Sequence, residues 1–224
     1  MNQPIAPHAL TAQEPLVLRQ DCAGITTLTL NRPKQYNALS SAVLTELQNN
    51  LDAIAQDSTV RVVVIAGSGS AFCAGHDLKE MRGQYELGAT QALFDQCSGV
   101  MQTLIALPQP VIAKVHGLAT AAGCQLVAQC DLAIASSNAT FATSGINVGL
   151  FCSTPSVALS RNLARKEAMQ MLLTGEFIDA KTAKEYGLVN RVVAPEKLDD
   201  ELAKMIRPII AKPASVLALG KKMF

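Results

Sequence analysis

Residues 116–131 read HGLATAAGCQLVAQCD. The segment is nearly free of bulk and charge for ten residues and then turns into a helix starting near Ala121. A helix N-terminus carries about half an elementary charge and several unpaired N–H groups. Gly and Ala at that point let a ligand come close to the backbone. A second glycine loop, Ala74-Gly75-His76-Asp77, stands at the end of the preceding buried strand. Two backbone donors from two such loops would grip one oxygen, the geometry that stabilises an oxyanion by on the order of 3 kcal/mol per donor. Small residues at helix starts also serve close helix–strand packing, and this segment alone leaves both readings open. Neither loop precedes Gly-Lys-Ser/Thr and neither is GxGxxG, so nucleotide readings are weak.

Upstream, PLVLRQ (15–20) and GITTLTLN (24–31) alternate and flank a turn-like Asp-Cys-Ala-Gly, so they read as a hairpin. After the polar loop NRPKQYNALS, Ser40 or Ser41 caps a helix through roughly Asp57, with Leu44, Leu47, Leu51 and Ile54 on one stripe. VRVVVIAG (60–67) is a continuous apolar run, as expected of a strand buried on both faces. GSGSAFCAGHDLKEMRG follows as a loop, then a helix over 88–106 and a buried strand within PQPVIAKVHG (108–117). Downstream lie strands at 132–136 and 140–142, helices near 155–163, 165–174 and 180–186, a strand ending GLVNRVV (187–193) and a helix over 196–211. Strands alternate with helices, which predicts an α/β fold with a largely parallel core and no linker.

With 224 residues, 49% of them hydrophobic, the chain suits one domain with a sizeable core. A net charge of +1 points to neither nucleic acid nor a membrane surface. No apolar run approaches the ~18 residues of a membrane span, and MNQPIAPHAL has no secretory pattern. The six cysteines form no CxxC pair and the three histidines are scattered, so they read as reduced, mostly buried thiols in a cytosol-like compartment.

Four segments together carry a family pattern: NRPKQYNALS, VVVIAGSGSAFCAGHDLKEM, PVIAKVHGLATAAGCQLVAQCDLAIAS and LLTGEFIDAKTAKEYGLVNRVV. In this order and spacing they resemble the crotonase (enoyl-CoA hydratase/isomerase) superfamily, from about residue 15 to the end. Within it the sequence looks closest to the branch called enoyl-CoA hydratase domain-containing protein 3. The resemblance implies a spiral of ββα units over 15–224, preceded by an extension at 1–14. It implies an acyl-CoA thioester as ligand, fatty acid or acyl-CoA metabolism, lyase-type chemistry and a homotrimer or hexamer. No cofactor is implied, since coenzyme A is part of the substrate. The compartment would be the cytoplasm, or the mitochondrial matrix in a eukaryote. The backbone oxyanion donors carry over to His76 and Ala122. Ala74, His76, Asp77, Leu78, Lys79 and Ala122 would bind the substrate, with His76–Lys79 along the CoA channel.

Hydration needs an activated water and a delivered proton, roles suited to paired carboxylates. By the same resemblance, the two hydratase glutamates fall on Gln125 and Gly145. Gln takes no proton at neutral pH and Gly has no side chain. Between Glu86 and Glu167 the only acids are Asp95 and Asp131. Asp131 lies six residues past Gln125, roughly 9 Å along the helix axis. Hydratase activity is therefore expected to be weak or absent. The single base of the family's isomerases is missing too.

His76 offers an imidazole as well as a backbone donor. The methylmalonyl-CoA decarboxylase branch resembles this chain at Ala-Gly-His-Asp and at Ile146-Asn147-Val148-Gly149, and its tyrosine falls on Cys152. The alternatives are thus a malonyl-type decarboxylase or thioester hydrolase using His76, and a non-catalytic acyl-CoA binder or scaffold. Ser144, Asn147 and Cys152 are the polar candidates near the acyl end. Gln125 remains able to orient a water, while Arg32, Lys34, Lys79 and Arg82 are candidates for the CoA phosphates. ASVLALGKKMF resembles the start of a helix that family members continue, so the C-terminal helical part is expected to be truncated.

Overall fold

The computed structural model describes residues 14–83 and 86–224. Apart from Glu14, the proposed N-terminal extension lies outside them.

The hairpin comprises β1 (Val17–Cys22) and β2 (Ile25–Leu30), paired antiparallel. Its strands run closer together than the sequence suggests: Asp21 and Cys22 belong to β1. The turn is Ala23-Gly24 alone, with φ of +50° and +79°, the left-handed two-residue connection that matches strand twist. Helix α1 (Ser41–Ala55) follows, and its cap is Ser40, whose hydroxyl accepts from Val43 N–H at 3.3 Å.

Next come β3 (Val62–Gly67), β4 (Ala71–Cys73), α2 (Leu78–Gly83), α3 (Leu87–Ala106), β5 (Val111–Val115), β6 (Leu118–Thr120) and α4 (Ala122–Gln129). They are followed by β7 (Leu132–Ser136), β8 (Thr140–Ala142), α5 (Ser153–Asn162), α6 (Arg165–Thr174), β9 (Ile178–Asp179) and α7 (Ala180–Tyr186). The chain closes with β10 (Arg191–Val193), α8 (Leu198–Ile210) and α9 (Ala214–Met223).

The strands form two sheets, ordered β1-β2-β3-β5-β7-β10 and β4-β6-β8-β9. From β3 to β8 the chain alternates, laying β3, β5 and β7 in the large sheet and β4, β6 and β8 in the small one. That is a repeated ββ unit, spiralling, with parallel neighbours β4, β6 and β8 in the small sheet. The expected α/β spiral is therefore present.

The continuous apolar run of β3 has a direct cause. Val63 and Ile65 join the main core with α1 and α3, while Val62 and Val64 meet Leu198, Met205 and Ile206 of α8. Alternate side chains of a strand point to opposite faces, so covering both faces demands apolar residues throughout.

The sequence reading finds β8 of the small sheet and misses β4, β6 and β9. The segment read as the loop 67–83 contains β4 and α2, and the small-residue stretch contains β6. Strands of three residues are too short to show periodicity. They exist because a neighbour supplies their hydrogen bonds.

Candidate functional site

Strands β4 and β6 pair in parallel, with Ala71 opposite Leu118 and Cys73 opposite Ala119. β8 pairs with β6, Ala119 opposite Phe141. The three strands therefore end side by side, and the segments leaving them meet. His76 leaves β4, Ala122 leaves β6 and Gly145 leaves β8. Open parallel sheets favour ligand sites at such carboxyl ends.

The small residues serve packing and approach together. A Cβ on Gly123 would lie 2.1 Å from the Cys73 carbonyl oxygen, so α4 begins directly against β4. Gly75 has φ +89°, and a Cβ there would lie 3.1 Å from Ala122 N. Ala121 holds φ +51° and ψ −121°, an uncommon conformation for a residue with a side chain, which turns β6 abruptly into α4.

The backbone on either side of His76 is fixed by Leu39. Leu39 N–H donates to Gly75 O at 2.8 Å, and Asp77 N–H donates to Leu39 O at 3.2 Å. In this parallel bridge His76's own N–H points away from Leu39. Neither that N–H nor the Ala122 N–H, at the first position of α4, has an acceptor among the described residues.

His76 and Ala122 line one cavity of about 280 Å³ together with Ala74, Leu78, Ser144, Gly145 and Cys152. Among the described residues, none that lines it is an aspartate or glutamate. The cavity adjoins a second of about 500 Å³, sharing Leu78, Met81, Val148 and Leu150; there Arg82 and Glu86 stand at the rim.

The imidazole of His76 packs on Phe94 with centroids 4.7 Å apart, and its Nδ1 is buried with no partner among the described residues. Burial pulls its pKa below the usual histidine value; the Leu39 backbone and the Glu80 charge oppose this and are outweighed. The ring is thus neutral near pH 7. Burial likewise raises the Cys152 thiol, with an opposing contribution from the Gly145 backbone. Beside them, the Thr120 and Ser144 hydroxyls lie 2.7 Å apart.

The remaining candidates divide. Gln125 is not a surface amide: it is 5% exposed, its Oε1 has no partner, and it is not among the cavity's lining residues. Asn147 donates to Gly175 O at 3.2 Å and does not line the cavity. Asp95 is exposed on α3. Asp131 accepts from Val111 N–H and pairs with Lys221, both at 2.7 Å, so it offers no free carboxylate to the site. Lys34, Lys79 and Arg82 are exposed and make no ion pair among the described residues. Arg32 and Asp77 are instead bound to one another at 3.0 Å.

Sequence reasoning overlooked Phe94, Thr120 and Asn37. The Asn37 side chain is buried in the NRPKQYNALS loop, accepting from Arg32 N–H and donating to the carbonyls of Ser68 and Ala71. An asparagine between two apolar segments was the available signal; its partners are visible only in three dimensions. Among the described residues no group of three or more His, Cys, Asp or Glu is placed to hold a metal ion.

Comparison with known proteins gives a consistent result. The model of the enoyl-CoA hydratase/isomerase family matches residues 20–224. The mitochondrial enoyl-CoA hydratase domain-containing protein 3 of Xenopus laevis is 47% identical over 210 residues, 94% of this chain and 71% of the relative. A solved enoyl-CoA hydratase from Mycobacterium smegmatis is 59% identical with a TM-score of 0.93, covering 94% of this chain and 82% of that one. The solved human enoyl-CoA hydratase domain-containing protein 3 is 44% identical with a TM-score of 0.89, covering 92% and 82%.

Proposed function

Since this chain belongs to the enoyl-CoA hydratase/isomerase family, we propose that it binds an acyl-CoA thioester where β4, β6 and β8 end, and that it hydrates enoyl thioesters weakly or not at all. One observation carries this reading: among the described residues, two unpartnered backbone donors belong to residues that line a cavity with no carboxylate in its wall.

The thioester oxygen would accept from His76 N–H and Ala122 N–H, which stabilises negative charge as the carbonyl becomes enolate-like. The CoA moiety would run along His76–Lys79, with Lys34, Lys79 and Arg82 toward its phosphates. Hydration would further need a base for water and an acid for the α-carbon. Gln125 and Gly145 supply neither, and each missing step is worth roughly 10²–10⁴ in rate.

Crotonyl-CoA hydration, measured beside an ordinary hydratase, tests this, with thioester binding followed by calorimetry. Binding without appreciable hydration is expected. Turnover at a typical enzymatic rate, about 1–10³ per second, would overturn the reading.

The placement of His76 and Cys152 in the same cavity favours a second reading, decarboxylation of a malonyl-type thioester. The bond to carbon dioxide breaks, its electron pair enters the enolate held by the two donors, and a proton then returns to the α-carbon. No strong base is required. The protonated Cys152 thiol or the neutral imidazole N–H would supply the proton. Carbon dioxide release from methylmalonyl-CoA, lost in His76→Ala while binding persists, supports it. Release of free CoA thiol instead would indicate a thioester hydrolase, and neither product would indicate a binder or scaffold.

A trimer or pair of trimers is part of the proposal. The exposed apolar side chains Met169 and Leu173 on α6, with Phe177 just beyond it, support an intersubunit surface. The mitochondrial designation of the frog relative supports a matrix location if the source is eukaryotic. Among the described residues no helix is long and apolar enough to cross a membrane.

A further inference from the structure

The sequence places Arg32 among candidates for a CoA phosphate. Its guanidinium is engaged elsewhere: Nη1 donates to the Ala38 carbonyl and to Asp77 Oδ2, both at 3.0 Å. Ala38 immediately precedes Leu39, and Asp77 immediately follows His76. One nitrogen therefore staples the two strands of the bridge that orients His76. The other carboxylate oxygen of Asp77 accepts from the N–H groups of Lys79 at 3.0 Å and Glu80 at 3.3 Å, holding the start of α2. Asn37 anchors the loop from its far side through the carbonyls of Ser68 and Ala71.

The pair is well shielded, with the Arg32 and Asp77 side chains 20% and 13% exposed. Burial by itself would raise the Asp77 carboxyl; the hydrogen bonds from Arg32 and the α2 backbone outweigh it and hold the carboxyl below the usual aspartate range. Asp77 is accordingly ionised at neutral pH.

We infer that the Arg32–Asp77 pair positions the His76 backbone donor against the thioester oxygen; this rests on the oxyanion reading above. Neither side chain touches the reacting atoms. Without the staple the loop at 74–77 keeps its Leu39 bridge and the Ala74 N–H bond to Tyr36 O, at 3.0 Å. It loses the side-chain clasp that ties Asp77 to the Ala38 carbonyl through Arg32. Hydrogen-bond strength falls steeply with misalignment, so a small rotation of one peptide weakens polarisation of the carbonyl before it weakens binding.

The test uses a 2,4-dienoyl-CoA, whose conjugated absorption moves to longer wavelength when its carbonyl is polarised. The wild-type protein should bind it with a red shift. Arg32→Met should bind within about fivefold of wild type yet lose at least about half of the shift, Asp77→Asn should lose the shift to a like extent whatever its affinity, and Arg32→Lys should recover most of it. The inference is overturned if folded Arg32→Met keeps the full shift, or if affinity and shift fall together with no rescue by lysine. It is equally overturned if the first two variants fail to fold by circular dichroism, which would make the pair structural. A wild-type protein that binds without any shift sinks the oxyanion reading itself, a result distinct from failure of the clasp.

Discussion

The sulfur of Cys152 lies 2.9 Å from the point where a Cβ on Gly145 would sit, and the Leu150 carbonyl oxygen lies 2.5 Å from it. The space beside Gly145 is therefore filled by the chain's own atoms. Placing a glutamate there forces the 145–152 turn to move. Gly145→Glu should lose about 1–3 kcal/mol in urea unfolding and gain no crotonyl-CoA hydration. A stable, hydrating variant would show that this turn yields easily and that an acid at 145 is enough for hydration.

Ala121 sits at φ +51° and ψ −121°, where a Cβ is strained. Ala121→Gly should raise stability by up to about 1 kcal/mol, because relief of strain exceeds the added freedom of the unfolded chain. Thermal unfolding measures it. A clear loss of stability would mean that the Ala121 methyl contributes more through packing than its backbone costs.

Cys22 is the exposed thiol, while Cys73, Cys97 and Cys124 are buried and pushed up to about 12 by burial. Burial also raises Cys130 and Cys152. One thiol per native chain should react quickly with an aromatic disulfide reagent at pH 8, and all six after unfolding. A second fast thiol, abolished in Cys152→Ser, would mark Cys152 as open and activated.

His76 titrates below the ordinary histidine value in the folded state because of burial. A lowered folded pKa means that the unfolded chain binds the proton more readily. Stability from this residue is complete above the unfolded value, near 6.5, and is lost as pH falls through that value toward the folded one. Urea unfolding of wild type against His76→Gln between pH 5 and 8 should show a slope for wild type that the variant lacks. Equal slopes would place the imidazole in water.

Helix α9 has no buried residue and is tied down by Lys221, whose Nζ donates to Leu104 O, Gln109 O and Asp131 Oδ2 at 2.9, 3.1 and 2.7 Å. Lys221→Met leaves these acceptors without the cation and should release α9, at a cost of about 1–3 kcal/mol. Amide exchange across 214–223 should become fast while β3 stays protected. Unchanged exchange would mean that Leu217 and the apolar contacts suffice.

The sequence by itself determined the large sheet, the main helices and the pairing of two glycine loops at strand ends. Runs such as Val62–Gly67 and stripes such as Leu44, Leu47, Leu51 and Ile54 are long enough for local periodicity to speak. It also determined that neither Gln125 nor Gly145 offers an acid, wherever they fold. The tertiary structure alone decided β4 and β6 and their joining with β8 into a small sheet, because three-residue strands persist only through each other's hydrogen bonds. It turned Asp77 toward Arg32, tied Asp131 to Lys221 and placed Cys152 beside Gly145. Those outcomes depend on which distant segments meet, and the order of residues along a chain does not carry that distance.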